Sequence, residues 1–325
     1  MPGFTTHYIF GMKAYNDMPF TPLKHTIAKY RWLYQLGLQG PDMFFYNIPI
    51  LCHRDYRNVG SYMHEHKVNA FFECCLRRIG TIRSRQQQEE AISYLAGFIN
   101  HYIADSICHP YVYGRIGYPV DAPTSMHHGM HAHLENELDA ILLWKYKKKK
   151  PSEFNQTATI CLNGQEIQFI SHFLASCINE TYYPITYRNN FQVTPAMVHR
   201  SIWALRFGCR TLSDKNGKKK FGIAQVESIF VNHPVASAKM VTDSVTDYRS
   251  SCNLNHEAWS NPWDPTRVST ASFVDLFHET LDKCSRVYAL LNSAVTDNMP
   301  LDKQDLSPLL AELGNESYHS GLPVD

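Results

Sequence analysis

The stretch AISYLAGFINHYIAD, residues 91–105, decides how this chain folds. Its apolar side chains recur almost all the way round a helical wheel, so a helix formed here is central, covered on every side by other structure. A polar stretch, Arg83 to Glu90, feeds it, and Pro110 is expected to stop it. Two of its residues sit badly in such surroundings. His101 and Asp105 are polar or charged, costly to bury unpaired, and a bound metal ion satisfies both at once.

Helices are predicted on either side. Thr21-Pro22 reads as an N-cap followed by proline at the first helical position, and Ile27, Trp32, Leu33 and Leu36 carry that helix to about Gly37. Gly40 to Tyr56, with Pro41, Asn47 and Pro49, reads as loop. Ser61 can cap a helix to Gly80 whose inward stripe is Val68, Phe71, Phe72, Cys75 and Ile79, with His64 in its first turn. After a loop from Gly114 to Pro123, a further helix spans about His127 to Tyr146, ended by lysines 147 to 150 where cations suit the helix dipole.

Beyond Pro151 the pattern predicts helices over about Ile167 to Tyr182, Thr194 to Leu212 and Ser269 to Val295. Asn163-Gly164, between TATICL and QEIQF, suits a type I′ turn and predicts a small hairpin near 158–169. DKNGKKK at 214–220 reads as a solvated loop. Residues 1–150 therefore read as the part that carries the chemistry, and 151–325 as a helical region packed on it.

Composition narrows the partners. In 325 residues, 44% hydrophobic and 13% aromatic content supply a sizeable core. Lys plus Arg (31) nearly balances Asp plus Glu (30), and a net charge of +1 gives no chain-wide field to gather nucleic acid. Nine Cys, odd in number and without a CxxC pair, fit neither a disulfide framework nor a thiolate zinc module and read as reduced cytosolic thiols. The opening MPGFTTHYIFGMKAYNDMP shows no charged region leading into an apolar run, and no segment is long enough to span a bilayer, so a cytoplasmic protein is expected.

Histidine carries the chemical signal. A His and an acid four places apart lie about 40° apart on a helix and reach one ion or two neighbouring ones. With 17 His, roughly 1.6 such pairs arise by chance, and the chain has four: His101/Asp105, His131/Glu135, His133/Glu137 and His278/Asp282. His133/Glu137 falls about 160° from the face marked by His131, Glu135, Leu138 and Leu142, and is not expected to ligate metal. His278/Asp282 stands alone in the tail as a surface pair. His109 follows His101 by two turns near the same face. Singly, His7 is an ordinary loop histidine, His64 an exposed helix-start residue and Asp42 a turn former. Together, imidazoles and carboxylates without cysteine pairs favour zinc in a hydrolytic site.

THYIFG around His7, GPDMFFY around Asp42, GSYMHE around His64, GFINHYIADSICHP around His101, Asp105 and His109, and HAHLENELD around His131 and Glu135 resemble the zinc-dependent phospholipase C family. The order matches over about residues 5 to 140, and NHEAWSNPWDP and SYHSGLP in the tail resemble bacterial members. His64 rather than His66 falls on the family's metal histidine. The resemblance implies an all-α multi-helix bundle, shared with the zinc nucleases, and a trinuclear zinc cluster. One zinc would take Asp42, His64, His101 and Asp105, a second His109, His131 and Glu135, and a third His7 with a share of Asp105. In the secreted enzymes that third ion also takes an N-terminal Trp, where this chain reads Met1-Pro2-Gly3-Phe4.

Such a cluster clamps a phosphodiester and delivers an activated water, with Asp42 as ligand and general base. The expected substrate is a phospholipid or other phosphodiester, cleaved in transient contact with a membrane surface. Phe44, Phe45, Tyr46 and Ile48 read either as core or as an apolar entrance for it, and Lys145 with Lys147 to Lys150 as a solvated helix end or an anion contact. Two alternatives stand beside this. A single-strand zinc nuclease would need a basic groove and stacking pocket, which the near-neutral chain does not announce, so no specific nucleic acid is expected. A non-catalytic metal-binding interaction domain would use the cluster for stability alone.

Overall fold

Gly37 and Gly97 let two helices touch at the centre of the molecule. A Cβ on Gly37 would stand 2.1 Å from the Tyr94 carbonyl oxygen, and one on Gly97 would stand 2.1 Å from that of Tyr34. This computed structural model describes residues 3–46, 59–188, 192–212, 214, 217–230, 237–245 and 247–325. The helices are α1 (Phe4–Asp17), α2 (Pro22–Lys29), α3 (Arg31–Gly37), α4 (Val59–Glu65), α5 (Val68–Thr81), α6 (Arg85–Arg115), α7 (Ser125–Lys147), α8 (Gly164–Arg188), α9 (Pro195–Leu212), α10 (Lys218–Phe230), α11 (Tyr248–Ser251), α12 (Phe273–Thr296) and α13 (Ser307–Leu313). Among the described residues the sheet is two short antiparallel strands, β1 (Trp259–Asn261) and β2 (Asp264–Ser269). The fold is all-α.

The central helix is longer than the sequence predicts. It runs through Pro110, which removes one intrahelical hydrogen bond, because Tyr111 and Val112 beyond it are fully buried and the Tyr111 hydroxyl donates to the Ser251 carbonyl at 2.7 Å. Around it Phe71, Phe72, Phe98 and Tyr102 pack as neighbouring rings, with centroids 5.3 to 5.8 Å apart. Such pairs add about 0.5–1.5 kcal/mol each beyond the area they bury. One continuous core draws on Leu33 and Phe98 in the first half and on Leu174, Leu205, Val287 and Leu309 in the second.

Other boundaries differ for local reasons. The helix expected over 21–37 breaks at Tyr30 (φ −114°, ψ 42°), whose carbonyl accepts from the Ser93 hydroxyl at 3.0 Å. The helix expected from Ser61 to Gly80 is two, parted at Lys67 (φ 50°), whose amide donates to the Asp325 carbonyl. Gly40–Tyr46 is a 3-10 turn; the remainder of the loop expected to Tyr56, with Asn47, Ile48 and Pro49, lies outside the described residues.

The hairpin expected near 158–169 is corrected. Asn163 instead caps α8: its side chain accepts from the Glu166 amide at 2.9 Å while the Glu166 carboxylate accepts from the Asn163 amide at 2.8 Å. That reciprocal pair satisfies two orphan donors at a helix start, which a hairpin turn would leave to water. The hairpin is at 259–269 instead, so Ser269 ends a strand and the following helix begins at Phe273, capped by the Ser272/Asp275 box. In the DKNGKKK stretch, Asp214 is buried and accepts from the Lys220 amide at 2.7 Å, so lysines 218 to 220 open α10 and are not loop. All eight described cysteines are free, Cys52 lying outside the described residues. No helix among the described residues is long and apolar enough to cross a membrane.

Candidate metal centre

Gly40 makes the site possible. At φ +46° it takes a conformation that side chains disfavour, and a Cβ there would sit 2.2 Å from the His101 ring. The chain leaving α3 therefore turns tightly under His101, and the following 3-10 turn carries the buried Asp42 into the core. His101 and Asp105 come from α6, His64 from the end of α4, and His109 from the next turns of α6.

Three of the imidazoles share one arrangement. His64 Nδ1 donates to the Gly60 carbonyl at 2.6 Å, His101 Nδ1 to that of Leu38 at 3.1 Å, and His109 Nδ1 to that of Tyr318 at 2.7 Å. Each carbonyl can only accept, so the Nδ1 proton is fixed and Nε2 keeps its lone pair. Those Nε2 atoms are buried and none has a partner in hydrogen-bond geometry. They face carboxylates: His101 Nε2 lies 3.1 Å from Asp105 Oδ2 and 3.7 Å from Asp42 Oδ1, and His64 Nε2 lies 3.3 Å from Asp42 Oδ1 and 3.7 Å from Asp105 Oδ2. Lone pairs directed at lone pairs repel unless a cation stands between them.

The spacing fits zinc. Donors roughly 2.0–2.1 Å from one tetrahedral ion stand roughly 3.3–3.4 Å from each other. Asp42, His64, His101 and Asp105 form one group whose donor atoms lie within 4.8 Å of one another, and His109, His131 and Glu135 form a second. In the second, Glu135 Oε1 lies 2.6 Å from His131 Nε2 and 3.6 Å from His109 Nε2. Asp105 faces two ways, its other oxygen standing 3.1 Å from His7 Nε2. The His7 ring stacks on His101 with centroids 4.0 Å apart.

Burial sets the charge. It pushes the His7 imidazole down and those of His109 and His131 well down, and pushes the Glu135 carboxyl well up, all toward neutral forms. For His101 burial acts the same way, but the Asp105 and Asp42 carboxylates outweigh it and the net direction is up. Burial also opposes the Asp105 carboxylate, which the histidines nevertheless hold well below the usual range. Buried carboxylates without a lysine or arginine among them are what a divalent cation stabilises.

The structure thus brings all eight candidate residues together. His7 is held by the start of α1, where the Thr5 and Thr6 amides donate to Asp139 of α7 at 3.1 and 2.7 Å. Burial raises the Asp139 carboxyl to about 6 against those two bonds. His66 lies apart, against Tyr62. His133 is half exposed and faces Glu137 at 3.6 Å, while Glu137 accepts from the Ser251 hydroxyl. His278 and Asp282 are exposed. His133→Ala is accordingly expected to keep the zinc content of the parent, whereas His131→Ala loses metal; equal zinc loss in both, by metal analysis, would show that the inward face of α7 is misassigned.

Tyr318 and His319 were not among the residues the sequence singled out as functional. The Tyr318 amide donates to the His64 carbonyl at 2.9 Å while its own carbonyl holds His109. The His319 ring stacks on His64, centroids 4.8 Å apart and planes 14° from parallel. The closing segment SYHSGLP is thus a wall of the site, and only its likeness to bacterial sequences hinted at it.

Beside the second group opens a cavity of about 700 Å³, lined by Glu135 and Asn136 on one side and by Phe45, Tyr46, Ala204 and Gly208 on another. Phe44 is core, and Ile48 is outside the described residues. The lysine run at 145 and 147–150 is an exposed helix end.

No curated protein and no solved structure matches the chain. Residues 6–186, more than half its length, match the sequence model of one family, described as zinc dependent phospholipase C, a family of hydrolases. With seven imidazole and carboxylate donors gathered in two metal-sized groups inside that stretch, this chain belongs to the zinc dependent phospholipase C family.

Proposed function

We propose that the protein hydrolyses a phospholipid at the bond between glycerol and phosphate, releasing diacylglycerol and a phosphorylated head group. The observation that carries this is the set of three imidazoles whose Nδ1 protons are tied to backbone carbonyls while their Nε2 atoms converge on buried carboxylates. Asp42, His64, His101 and Asp105 would hold one zinc, His109, His131 and Glu135 a second, and His7 with Asp105 would contribute to a third. When bound, zinc supplies positive charge that acidifies water and neutralises charge developing on the phosphoryl oxygens.

The residues of the chain do the rest. Asp42, on a short turn after Gly40, takes the proton of the attacking water and orients its oxygen at phosphorus. As that P–O bond forms, the bond to the glycerol oxygen breaks, and the proton passes finally to the glycerol oxygen. The mostly apolar cavity next to Glu135 has the size of a small-molecule site and gives the glycerolipid room beside the reacting phosphate. Residues 1–150 bear the site in this proposal, and 151–325 form a helical region packed on them. A hydrolysis screen tests it: zinc-dependent release of diacylglycerol from phospholipid is expected, with simple phosphodiesters slower. Degradation of single-stranded DNA with no phospholipid turnover would overturn it in favour of a nuclease.

A further inference from the structure

The cavity beside the metal centre reaches the surface along α9, and that helix has an unusual outer face. Inwardly it buries Val198, Ile202, Leu205 and Cys209, as an amphipathic surface helix should. Outwardly, where polar residues belong, stand Trp203 at 63% and Phe207 at 50% exposure, stacked with centroids 5.4 Å apart and planes 9° from parallel. Both border the cavity mouth. Arg200 lies one turn before Trp203 and Arg210 one turn after Phe207, so positions 200, 203, 207 and 210 form one stripe. Over its 18 residues the helix has three arginines and no acidic residue, in a chain whose net charge is only +1.

The surface continues onto α10. Lysines 218 to 220 open that helix, Phe221 is 66% exposed and Val226 58% exposed. Between the helices runs a shallow groove of about 620 Å³, lined by Leu212, Ile223, Val226 and Met240 among others. Both helices lie beyond the stretch that matches the family, which therefore does not account for them.

We infer that the outer face of α9 and α10 docks on an anionic phospholipid bilayer, Trp203 and Phe207 entering the head-group boundary and the flanking arginines meeting lipid phosphates. The inference rests on the phospholipid reading above. Aromatic tips ringed by cations are the composition that partitions to a bilayer interface. A second copy of the chain fits less well, because a self-complementary contact here would set arginine against arginine. Continuity with the cavity gives the surface a purpose: the mouth would open on the bilayer, and a lipid would reach Glu135 and the metal centre without crossing bulk water.

The test is sedimentation of the zinc-loaded, full-length protein with vesicles of phosphatidylcholine and phosphatidylserine, against phosphatidylcholine alone. Stronger binding to the anionic vesicles is expected. The pair Trp203→Ser and Phe207→Ser should weaken binding to both about tenfold or more, and Arg200→Gln with Arg210→Gln should abolish only the preference for anionic lipid. Both variants change exposed side chains, and circular dichroism with zinc content checks that they fold. Unchanged vesicle binding by the aromatic variant overturns the inference, as does a dimer in the parent that the variant breaks to monomers. The two proposals fail separately: vesicle binding without hydrolysis of any phospholipid overturns the phospholipase, and hydrolysis with binding indifferent to Trp203 and Phe207 overturns the docking face.

Discussion

His101→Ala is expected to release at least one zinc and to cost about 3–5 kcal/mol of stability, as loss of one partner from a buried charged cluster does. The ring is fully buried, its Nε2 atom facing Asp105 and Asp42 and its Nδ1 proton on Leu38. Removing it leaves two carboxylates in the core, opens a cavity beneath Gly40 and frees a backbone carbonyl from its donor. Domains are typically stable by about 5–15 kcal/mol, so the loss is a large share of the total. Zinc content and thermal melting of parent and variant, each with and without chelator, decide it. The chelator should lower the parent toward the variant and move the variant little. A variant that holds full zinc and melts with the parent would show that His101 is no ligand.

Much of this centre was legible because burial makes polar residues conspicuous. His101 and Asp105 stand out in residues 91–105 precisely where apolar periodicity says nothing polar should be, and the four-residue spacing of His131 and Glu135 survives any uncertainty about helix ends. What could not be read depends on backbone groups or distant partners. Tyr30 breaks a helix at a backbone conformation that no side-chain pattern announces, its carbonyl accepting from Ser93, far along the chain, as well as from the Leu33 and Tyr34 amides that open the next helix. Asn163-Gly164 offers the same letters to a hairpin turn and to a helix cap, and Glu166 decides between them. Tyr318 holds His109 through a main-chain oxygen, which every residue type possesses, so no side-chain pattern announces it. The amphipathic period of α9 shows its buried stripe, whereas the meaning of Trp203 appears only when the cavity beside it is seen.

Asp42→Asn should separate chemistry from scaffolding. Asp42 comes from a 3-10 turn, while most of the other candidate ligands come from helices, so the centre should survive its change better than the loss of His101. Asparagine keeps the shape and one oxygen donor but not the basic carboxylate, and loss of a general base typically costs about two to four orders of magnitude in rate. Zinc should therefore largely remain while phosphodiester hydrolysis collapses. Turnover on the best substrate, measured beside zinc content, checks it: near-parental turnover with full zinc excludes Asp42 as the base.

The centre itself is tested most directly by metal analysis of the chain purified without chelators and reconstituted with zinc. Seven donors in two groups, with His7 beside Asp105, lead us to expect two to three tightly held zincs per chain. Fewer than one zinc per chain would contradict a metal centre at these residues and the hydrolysis derived from it.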